Sequence, residues 1–163
     1  KAEAPSLTYP EHEVGMQRMC FITGTDSTWH YQGVKSLQGL QIGIAIDTSI
    51  EELNSYVEAN PQQFQFQPYH ERYIVQNAGK LDKKRIDTFL FTKNSTIYEL
   101  TNAGIWQNYR VAGCVSEAKI YMALSPESGL KTKVTQIKHL FDEKMAALKQ
   151  VGFIEQLMLS YHL

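Results

Sequence analysis

The chain has 163 residues, of which 43% are hydrophobic and 20% are charged, so it is long enough and apolar enough to bury a core. Its 16 basic and 17 acidic side chains leave a formal net charge of -1, which creates no overall field to attract nucleic acid or an anionic membrane surface. The longest apolar runs are far too short to cross a bilayer. We therefore expect one domain or two small lobes, with no nucleic-acid partner and no direct membrane insertion.

The first part of the chain predicts an extended entry segment followed by one strand. Residues 1–14 carry two prolines and little periodicity, and the loosely alternating segment 16–23 ends at Gly24. The stretch from Gly24 to Ser36 is rich in Gly, Ser, Thr and Asp. This composition is typical of a connector, and we interpret it as a candidate crossing between lobes.

The two cysteines, Cys20 and Cys114, lack the close Cys or His partners that a zinc or thiol-redox motif requires. We interpret them as buried small hydrophobic residues. We expect no metal and no cofactor. A disulfide between the two is the alternative if the protein resides in an oxidising compartment.

From Gln41 onward, strand patterns alternate with helix patterns of about ten residues. Three helices are predicted from apolar residues at helical spacing, and Asn94 or Ser95 is expected to cap the third, which Gly104 ends. Alternation of this kind implies parallel pairing through right-handed crossovers, hence an α/β sheet layered with helices. The predicted strands are 42–46, 64–66, 86–91, 109–112 and 119–124.

The last part of the chain predicts two amphipathic helices after the breaks at Pro126 and Gly129. Apolar residues recur at helical spacing on both sides of Gly152. The first stripe contains Val134, Ile137, Leu140, Phe141, Met145 and Leu148, and the second contains Phe153, Ile154, Leu157, Met158 and Tyr161.

Candidate ligand-binding residues follow the predicted strands, because ligands meet an open α/β sheet at the carboxyl ends of its strands. Segments 47–49, 67–71 and 92–95 occupy such positions, and we expect them to converge on one cleft. Hydroxyls beside free helix N–H groups suit a ligand carboxylate, although the same residue types are usual N-caps. An aromatic face, a titratable ring and a cation suit a small polar solute. The candidates are Asp47, Thr48, Ser49, Tyr69, His70, Thr92 and Lys93.

Trp29 is a further candidate, because the sequence Trp29-His30-Tyr31 lies in the predicted connector. Its ring would either stack on a ligand or pack between lobes. The sequence contains no nucleophile elbow, phosphate loop, zinc-protease motif or dinucleotide fingerprint. We predict no catalytic residue. An enzyme would have to use His70, Glu71 or Asp47 as its acid or base.

Several ordered motifs resemble bacterial family 3 extracellular solute-binding proteins. The run Trp29-x-Tyr31-x-Gly33-x-x-Ser36-Leu37-x-Gly39 is followed by a strand and by Thr48-Ser49 opening a helix. Leu81-x-x-x-Arg85-Ile86-Asp87 resembles their helix-to-strand element. Segment 121–126 resembles the strand that returns to the first lobe, and segment 141–161 resembles their C-terminal helices.

The resemblance implies a type 2 periplasmic-binding-protein fold, in which two α/β lobes joined by two crossings close around an amino acid or similar polar solute. Residues 1–36 would hold an entry segment, a strand of lobe 1 and the first crossing. Residues 37–124 would form lobe 2. Residues 125–163 would form the return crossing and the C-terminal helices of lobe 1, so the N-terminal part of lobe 1 is expected to be missing.

The resemblance further implies the periplasmic solute-binding component of an ABC importer. Its signal peptide would have been removed, and its partners would be a small polar solute and an inner-membrane ABC permease. Two alternatives keep the same fold: the sensing input of a signalling protein, and a dehydratase-like enzyme.

Two residues depart from the family pattern. Relatives that bind α-amino acids generally hold the ammonium with an Asp, and Thr92 stands at that position here. Asp47 stands where Gly is common, which puts a negative charge beside the supposed carboxylate site. Both departures weaken the expectation of an ordinary α-amino acid as the ligand.

Overall fold

The computed structural model describes residues 6–46, 48, 50–125, 131–161 and 163. The chain divides into two compact units. Unit 1 comprises Lys1–Met16 and Ala118–Leu163, and unit 2 comprises Gln17–Glu117. In the described part of the chain, no helix is both long enough and apolar enough to cross a membrane.

The described residues form five strands and five α-helices. The strands are β1 (Gly15–Gly24), β2 (Ile42–Ala45), β3 (Phe64–Gln67), β4 (Thr88–Thr92) and β5 (Tyr109–Ile120). The helices are α1 (Glu51–Ala59), α2 (Tyr73–Asp82), α3 (Lys93–Asn102), α4 (Val134–Gln150) and α5 (Phe153–Ser160). The predicted order of strands and helices is confirmed for residues 16–104 and for the two C-terminal helices.

The five strands form one sheet in the order β3-β2-β4-β1-β5. Strand β2 pairs in parallel with both β3 and β4, as the alternation of strands and helices predicts. Strand β1, for which the sequence predicted no pairing direction, is antiparallel to β4. From Gln17 onward, β1 belongs to unit 2. The predicted lobe boundaries stay predictions.

Both faces of the sheet are covered, because each carries its own hydrophobic cluster. One cluster, here called the α2 face, contains Tyr73, Ile74, Phe89 and Leu100. The other, here called the α1 face, contains Phe21, Ile44, Leu53 and Leu90. Consecutive residues Phe89 and Leu90 therefore serve opposite faces, which explains why β4 is apolar without alternation.

Two local predictions are wrong. Helix α3 starts at Lys93 with Thr92 as its N-cap residue, so Asn94 and Ser95 lie inside the helix. Strand β5 is a single strand of 12 residues that replaces the predicted strands 109–112 and 119–124. Beyond Ile120, strand pairing among the described residues is limited to an isolated antiparallel bridge between Thr8 and Leu124.

Cys20 and Cys114 form a disulfide between β1 and β5, across 94 positions of sequence. The structure therefore contains the disulfide that the sequence left open, and the interpretation as a buried hydrophobic residue is wrong for Cys114. Cys20 is fully buried, but Cys114 is exposed. Arg18 pairs with Glu117 on the same two strands, so a covalent bond and an ion pair both join β1 to β5.

Unit 1 consists mainly of helices α4 and α5 with the entry segment. Lys149 donates a hydrogen bond of 2.5 Å to Glu13, and the backbone N–H groups of Glu11 and His12 donate to Asp142. None of the residues in α5 is buried. The large hydrophobic residues exposed on the two helices and between them are Leu140, Val151, Phe153, Leu157 and Leu159.

Candidate functional site

The carboxyl ends of three strands lie along one edge of the sheet in unit 2. Ala45 is opposite Gln67 in the β2–β3 pair, and β4 runs in the same direction beside β2. The N–H of Ile46 donates to the carbonyl of Gln67 at 2.9 Å, which ties the two strand ends together. We call this region, with residues 46, 48, 68–70 and 92–93, the ligand edge. The predicted residues Thr48, Tyr69, His70, Thr92 and Lys93 all lie at or directly after these strand ends.

Tyr69 belongs to a group of three rings at the ligand edge, here called the aromatic stack. Its ring lies 5.4 Å from that of Phe91, with 20° between the planes, and 5.9 Å from that of Tyr73. The Phe91 and Tyr73 rings are 4.9 Å apart. Tyr73 is fully buried, and this burial raises the pKa of its hydroxyl. Tyr69 is 62% exposed, so the stack runs from the core to the surface.

Thr92 ends β4 and precedes the first turn of α3. Its carbonyl accepts a hydrogen bond of 2.9 Å from the Thr96 hydroxyl. Its own hydroxyl oxygen is buried and has no hydrogen-bond partner among the described residues. A buried hydroxyl without a partner is energetically unfavourable, and a ligand atom at this position would satisfy it.

Lys93 is the first residue of α3 and is half-buried. Its ammonium forms no ion pair with any described carboxylate. The first N–H groups of a helix also lack intrahelical partners, so a cation and free N–H donors occur together here. This part of the ligand edge suits a negatively charged group.

His70 is exposed, and its Nδ1 accepts a hydrogen bond of 3.2 Å from the N–H of Arg72. The neutral ring therefore carries its proton on Nε2, where it is a donor. The carbonyl of His70 accepts from the N–H of Tyr73 at 2.9 Å. His70 is thereby fixed to the start of the helix that carries the buried member of the aromatic stack.

Thr48 is half-buried and lines a cavity of about 300 Å³ with Ile44, Ile50 and Asn54. The N-cap residue of α1 is Ile50, whose N–H donates to the Asn54 side chain at 3.1 Å. Thr48 is therefore not the N-cap of α1. The other two residues predicted for this loop, Asp47 and Ser49, lie outside the described residues.

Trp29 is not brought to the ligand edge. Its indole N–H donates to the carbonyl of Ser36 at 2.9 Å, and its ring meets Phe21 edge-on at 5.5 Å. It lines a cavity of about 440 Å³ at the opposite end of the sheet, beside Asp82 and Asp87. Both carboxylates already accept hydrogen bonds, from Tyr109 and from the N–H of Gln41.

The sequence did not reveal the whole ligand edge. Phe91 lies in the predicted strand 86–91, and its stacking with Tyr69 and Tyr73 depends on tertiary packing. The spacing of Tyr69 and Tyr73, four residues apart at a helix start, is the one sequence signal that could have indicated the contact.

Sequence comparison finds no family model and no curated protein that matches the chain. Structural comparison finds close similarity to substrate-binding domain 2 of GlnP from Lactococcus lactis, with a TM-score of 0.66 at 13% identity. The probable amino-acid ABC transporter extracellular-binding protein YtmK from Bacillus subtilis gives 0.65 at 16% identity. The chain has the type 2 periplasmic-binding-protein fold. This finding confirms the predicted fold class.

A histidine kinase sensor domain, described as similar to periplasmic binding proteins, also matches, with a TM-score of 0.63 at 13% identity. In each of these three matches 99% of the chain is covered. The chain spans 64%, 66% and 65% of the lengths of the GlnP domain, YtmK and the sensor domain, respectively. The chain therefore corresponds to about two thirds of the length of these proteins.

Proposed function

We propose that the protein is the solute-binding component of an ABC importer and captures a small polar solute, such as an amino acid or a related carboxylate. The observation that supports the proposal is the ligand edge, where the carboxyl ends of β2, β3 and β4 point in the same direction and are followed by Thr48, Tyr69 and Lys93. Ligands bind open α/β sheets at this position. No enzymatic role is proposed, because the compared structures are described as binding and sensor domains.

The partner that this function requires is an inner-membrane ABC permease. Two of the compared structures support it, because one is described as a substrate-binding domain and the other as an extracellular-binding protein of an amino-acid ABC transporter. A periplasmic location is proposed with it. The Cys20–Cys114 disulfide supports that location, since such bonds persist in oxidising compartments.

The test is a solute screen by ¹⁵N amide NMR, which detects weak binding. Amino acids and small carboxylates are added to the 163-residue chain and to the protein purified from its natural host. We expect at least one solute to shift the amide signals of Thr92 and Lys93 and to raise the melting temperature. If no solute does either, in either form of the protein, the proposal is wrong.

A matched pair of variants tests the role of Thr92. Thr92→Val removes the unpartnered hydroxyl with little change of shape, and Thr101→Val removes another buried hydroxyl without a described partner at the far end of α3. We expect Thr92→Val to weaken solute binding about tenfold, because one hydrogen bond to a charged group contributes on this order. Thr101→Val should leave affinity unchanged. Equal effects of the two variants would remove Thr92 from the site.

The second candidate function is the sensing input of a signalling protein, which the match to the histidine kinase sensor domain favours. The two functions differ in the physical partner of the solute-loaded protein. Crosslinking in cells followed by mass spectrometry would recover a permease in one case and a kinase in the other.

A further inference from the structure

The Cys20–Cys114 disulfide has one protected end and one accessible end. Cys20 is fully buried in β1, whereas Cys114 is exposed. Strand β5, which carries Cys114, lies at the edge of the sheet beside β1. A thiolate opens a disulfide by attacking one of its two sulfurs, so access decides which sulfur reacts. An incoming thiolate therefore reaches this bond from the Cys114 side.

The buried end of the bond adjoins the aromatic stack. Cys20 pairs with Phe91 across the β1–β4 ladder. Paired residues of an antiparallel ladder have their side chains on the same face, with Cβ atoms about 4.5–5.5 Å apart. Phe91 packs against the α2-face cluster, and its ring stacks on that of Tyr69 at 5.4 Å. Cys20 is therefore next to the residue that supports the Tyr69 ring.

An irregular residue in β5 allows Cys114 to face Cys20. Val111 packs against the α2-face cluster and Val115 against the α1-face cluster, although residues four apart in a regular strand point to the same face. Gly113 lies between them with a φ of 135°, which favours glycine. A Cβ at this position would also lie 2.9 Å from the Cβ of Tyr31. The backbone at Gly113 therefore sets the face on which the disulfide forms.

We infer that the Cys20–Cys114 bond is a thiol-responsive switch, which small thiols and dithiols open at Cys114 and which acts on the aromatic stack through Phe91. In the first step a thiolate bonds to the Cys114 sulfur, and the electron pair of the broken bond leaves with Cys20, which takes a proton from water. A second thiolate then attacks the reagent sulfur of this mixed disulfide. Cys114 leaves as a thiol and the reagent leaves as its own disulfide, so two thiols supply the two electrons.

Opening the bond changes the support of the Tyr69 ring. Without it, β5 is held to β1 only by non-covalent contacts such as the Arg18–Glu117 ion pair. Cys20 is then no longer anchored to β5, and the side of Phe91 toward β1 loses a fixed neighbour. The Tyr69 ring, which is 62% exposed and stacks on Phe91, should therefore change its average position. The competing explanation is that the bond only links β5 to β1.

The first experiment identifies the sulfur that reacts. The oxidised 163-residue chain is treated briefly with reduced glutathione under native conditions, quenched with acid, digested with pepsin and analysed by mass spectrometry. We expect about tenfold more glutathione on Cys114 than on Cys20, because access controls the exchange. The same reaction in denaturing urea is the control and should label both cysteines. Equal labelling of the native protein, or none, would overturn the inference.

The second experiment tests the coupling to the aromatic stack. Aromatic ¹H–¹³C NMR spectra are recorded before and after reduction with dithiothreitol. We expect the Tyr69 ring signals to move and those of Tyr98, an exposed tyrosine of α3, to stay unchanged. Unchanged Tyr69 signals would show that the bond only links β5 to β1. Movement of both rings would show a general loosening of unit 2, and either result contradicts the coupling.

Two variants separate the covalent bond from the contact between the strands. Replacing both Cys20 and Cys114 by Ser should place the Tyr69 signals where reduction places them, with no further response to dithiothreitol. Glu117→Gln removes the ion pair with Arg18 between the same strands and keeps the bond, so it should leave the Tyr69 signals in place. An equal effect of Glu117→Gln would remove the bond from the coupling. None of these measurements uses a solute, so their outcome is independent of the proposed function.

Discussion

Units 1 and 2 both contain amphipathic helices, but they bury them very differently. In unit 2 the apolar faces of the helices meet a sheet, and Ile74, Leu53 and Leu100 are essentially inaccessible to water. In unit 1 helix α5 has no buried residue, and Val151 and Leu159 are 68% and 70% exposed. Both hydrophobic clusters of the described residues belong to unit 2.

The difference shows what a hydrophobic stripe in a sequence does and does not specify. The spacing of apolar residues in α5 correctly predicts a helix, but it does not specify what covers that helix. Helix α5 therefore adds no residue to the buried core of the described part of the chain. We therefore expect the stability of the chain to reside mainly in unit 2.

The largest expected effect comes from one substitution made in both units. Phe89→Ala removes a fully buried ring from the α2 face, whereas Phe153→Ala removes a ring that is 46% exposed at the start of α5. We expect Phe89→Ala to lower the free energy of unfolding by roughly 3–5 kcal/mol. Phe153→Ala should lower it by less than about 1 kcal/mol. Urea denaturation followed by circular dichroism measures both.

Comparable losses for the two variants would contradict the comparison. They would mean that the Phe153 ring is covered in solution by something other than the described residues. Analytical ultracentrifugation of the same samples would then show whether the ring is covered by a second copy of the chain.

The disulfide gives the next largest effect, and it is confined to unit 2. Replacing both Cys20 and Cys114 by Ser should lower the free energy of unfolding by roughly 2–5 kcal/mol, because the bond links positions 94 residues apart. Dithiothreitol should destabilise the native protein equally. The same reagent should not alter the double variant, which controls for nonspecific effects. An unchanged melting temperature on reduction would show that the sheet alone holds β1 against β5.

A smaller effect is expected at the end of α2. Lys84 has a positive φ of 52°, and the N–H groups of Lys84 and Arg85 bond back to Leu81 and Lys80 in a pattern that favours glycine. Lys84→Gly should therefore raise the free energy of unfolding by up to about 1 kcal/mol. Its exposed ion pair with Asp26 contributes little and does not cancel the gain.

Lys83→Gly is the control for this substitution. Lys83 has an ordinary φ of -85°, so glycine there should lower the free energy of unfolding by about 0.5 kcal/mol. If Lys84→Gly also destabilises unit 2, its positive φ carries no strain.

The smallest effect concerns unit 1 and depends on pH. The hydrogen bond from Lys149, with the nearby charge of Lys119, lowers the pKa of Glu13 from 4.5 to about 2. A lowered carboxylate pKa stabilises the folded state above pH 4.5, and this contribution is lost as pH falls toward 2. Carboxyl ¹³C NMR should report the low pKa. Glu13→Gln should be slightly less stable than wild type at pH 7 and equally stable at pH 2.

The sequence predicted the order of strands and helices well, because apolar periodicity is a local property. It did not predict that β1 is antiparallel, since a strand has the same alternation in either direction. It also missed the start of α3, where Thr92 rather than Asn94 or Ser95 is the N-cap residue. Thr, Asn and Ser are all common N-cap residues, so the sequence alone does not fix the first residue of α3. The pairing of β4 in the sheet fixes it.

For the candidate site too, the sequence predicted local positions but not tertiary contacts. Because the strands were recognised, the sequence correctly placed Thr48, Tyr69 and Lys93 at strand ends on one edge. It did not predict the packing of Tyr69 on Phe91, because the two residues come from different strand ends. Their roles in binding stay predictions, and so does the role of Trp29, which lies at the other end of the sheet.

The position of β1 inside the sheet, between β4 and β5, affects how the chain reaches this structure during synthesis. Ile22 pairs with Phe89, so β1 has no partner in β4 until more than sixty further residues have been made. β5 lies at the sheet edge and pairs only with β1, so it can join the sheet only after β1 has paired. The disulfide between Cys20 and Cys114 can form only after that step. We therefore expect slow folding, with oxidation as its last step.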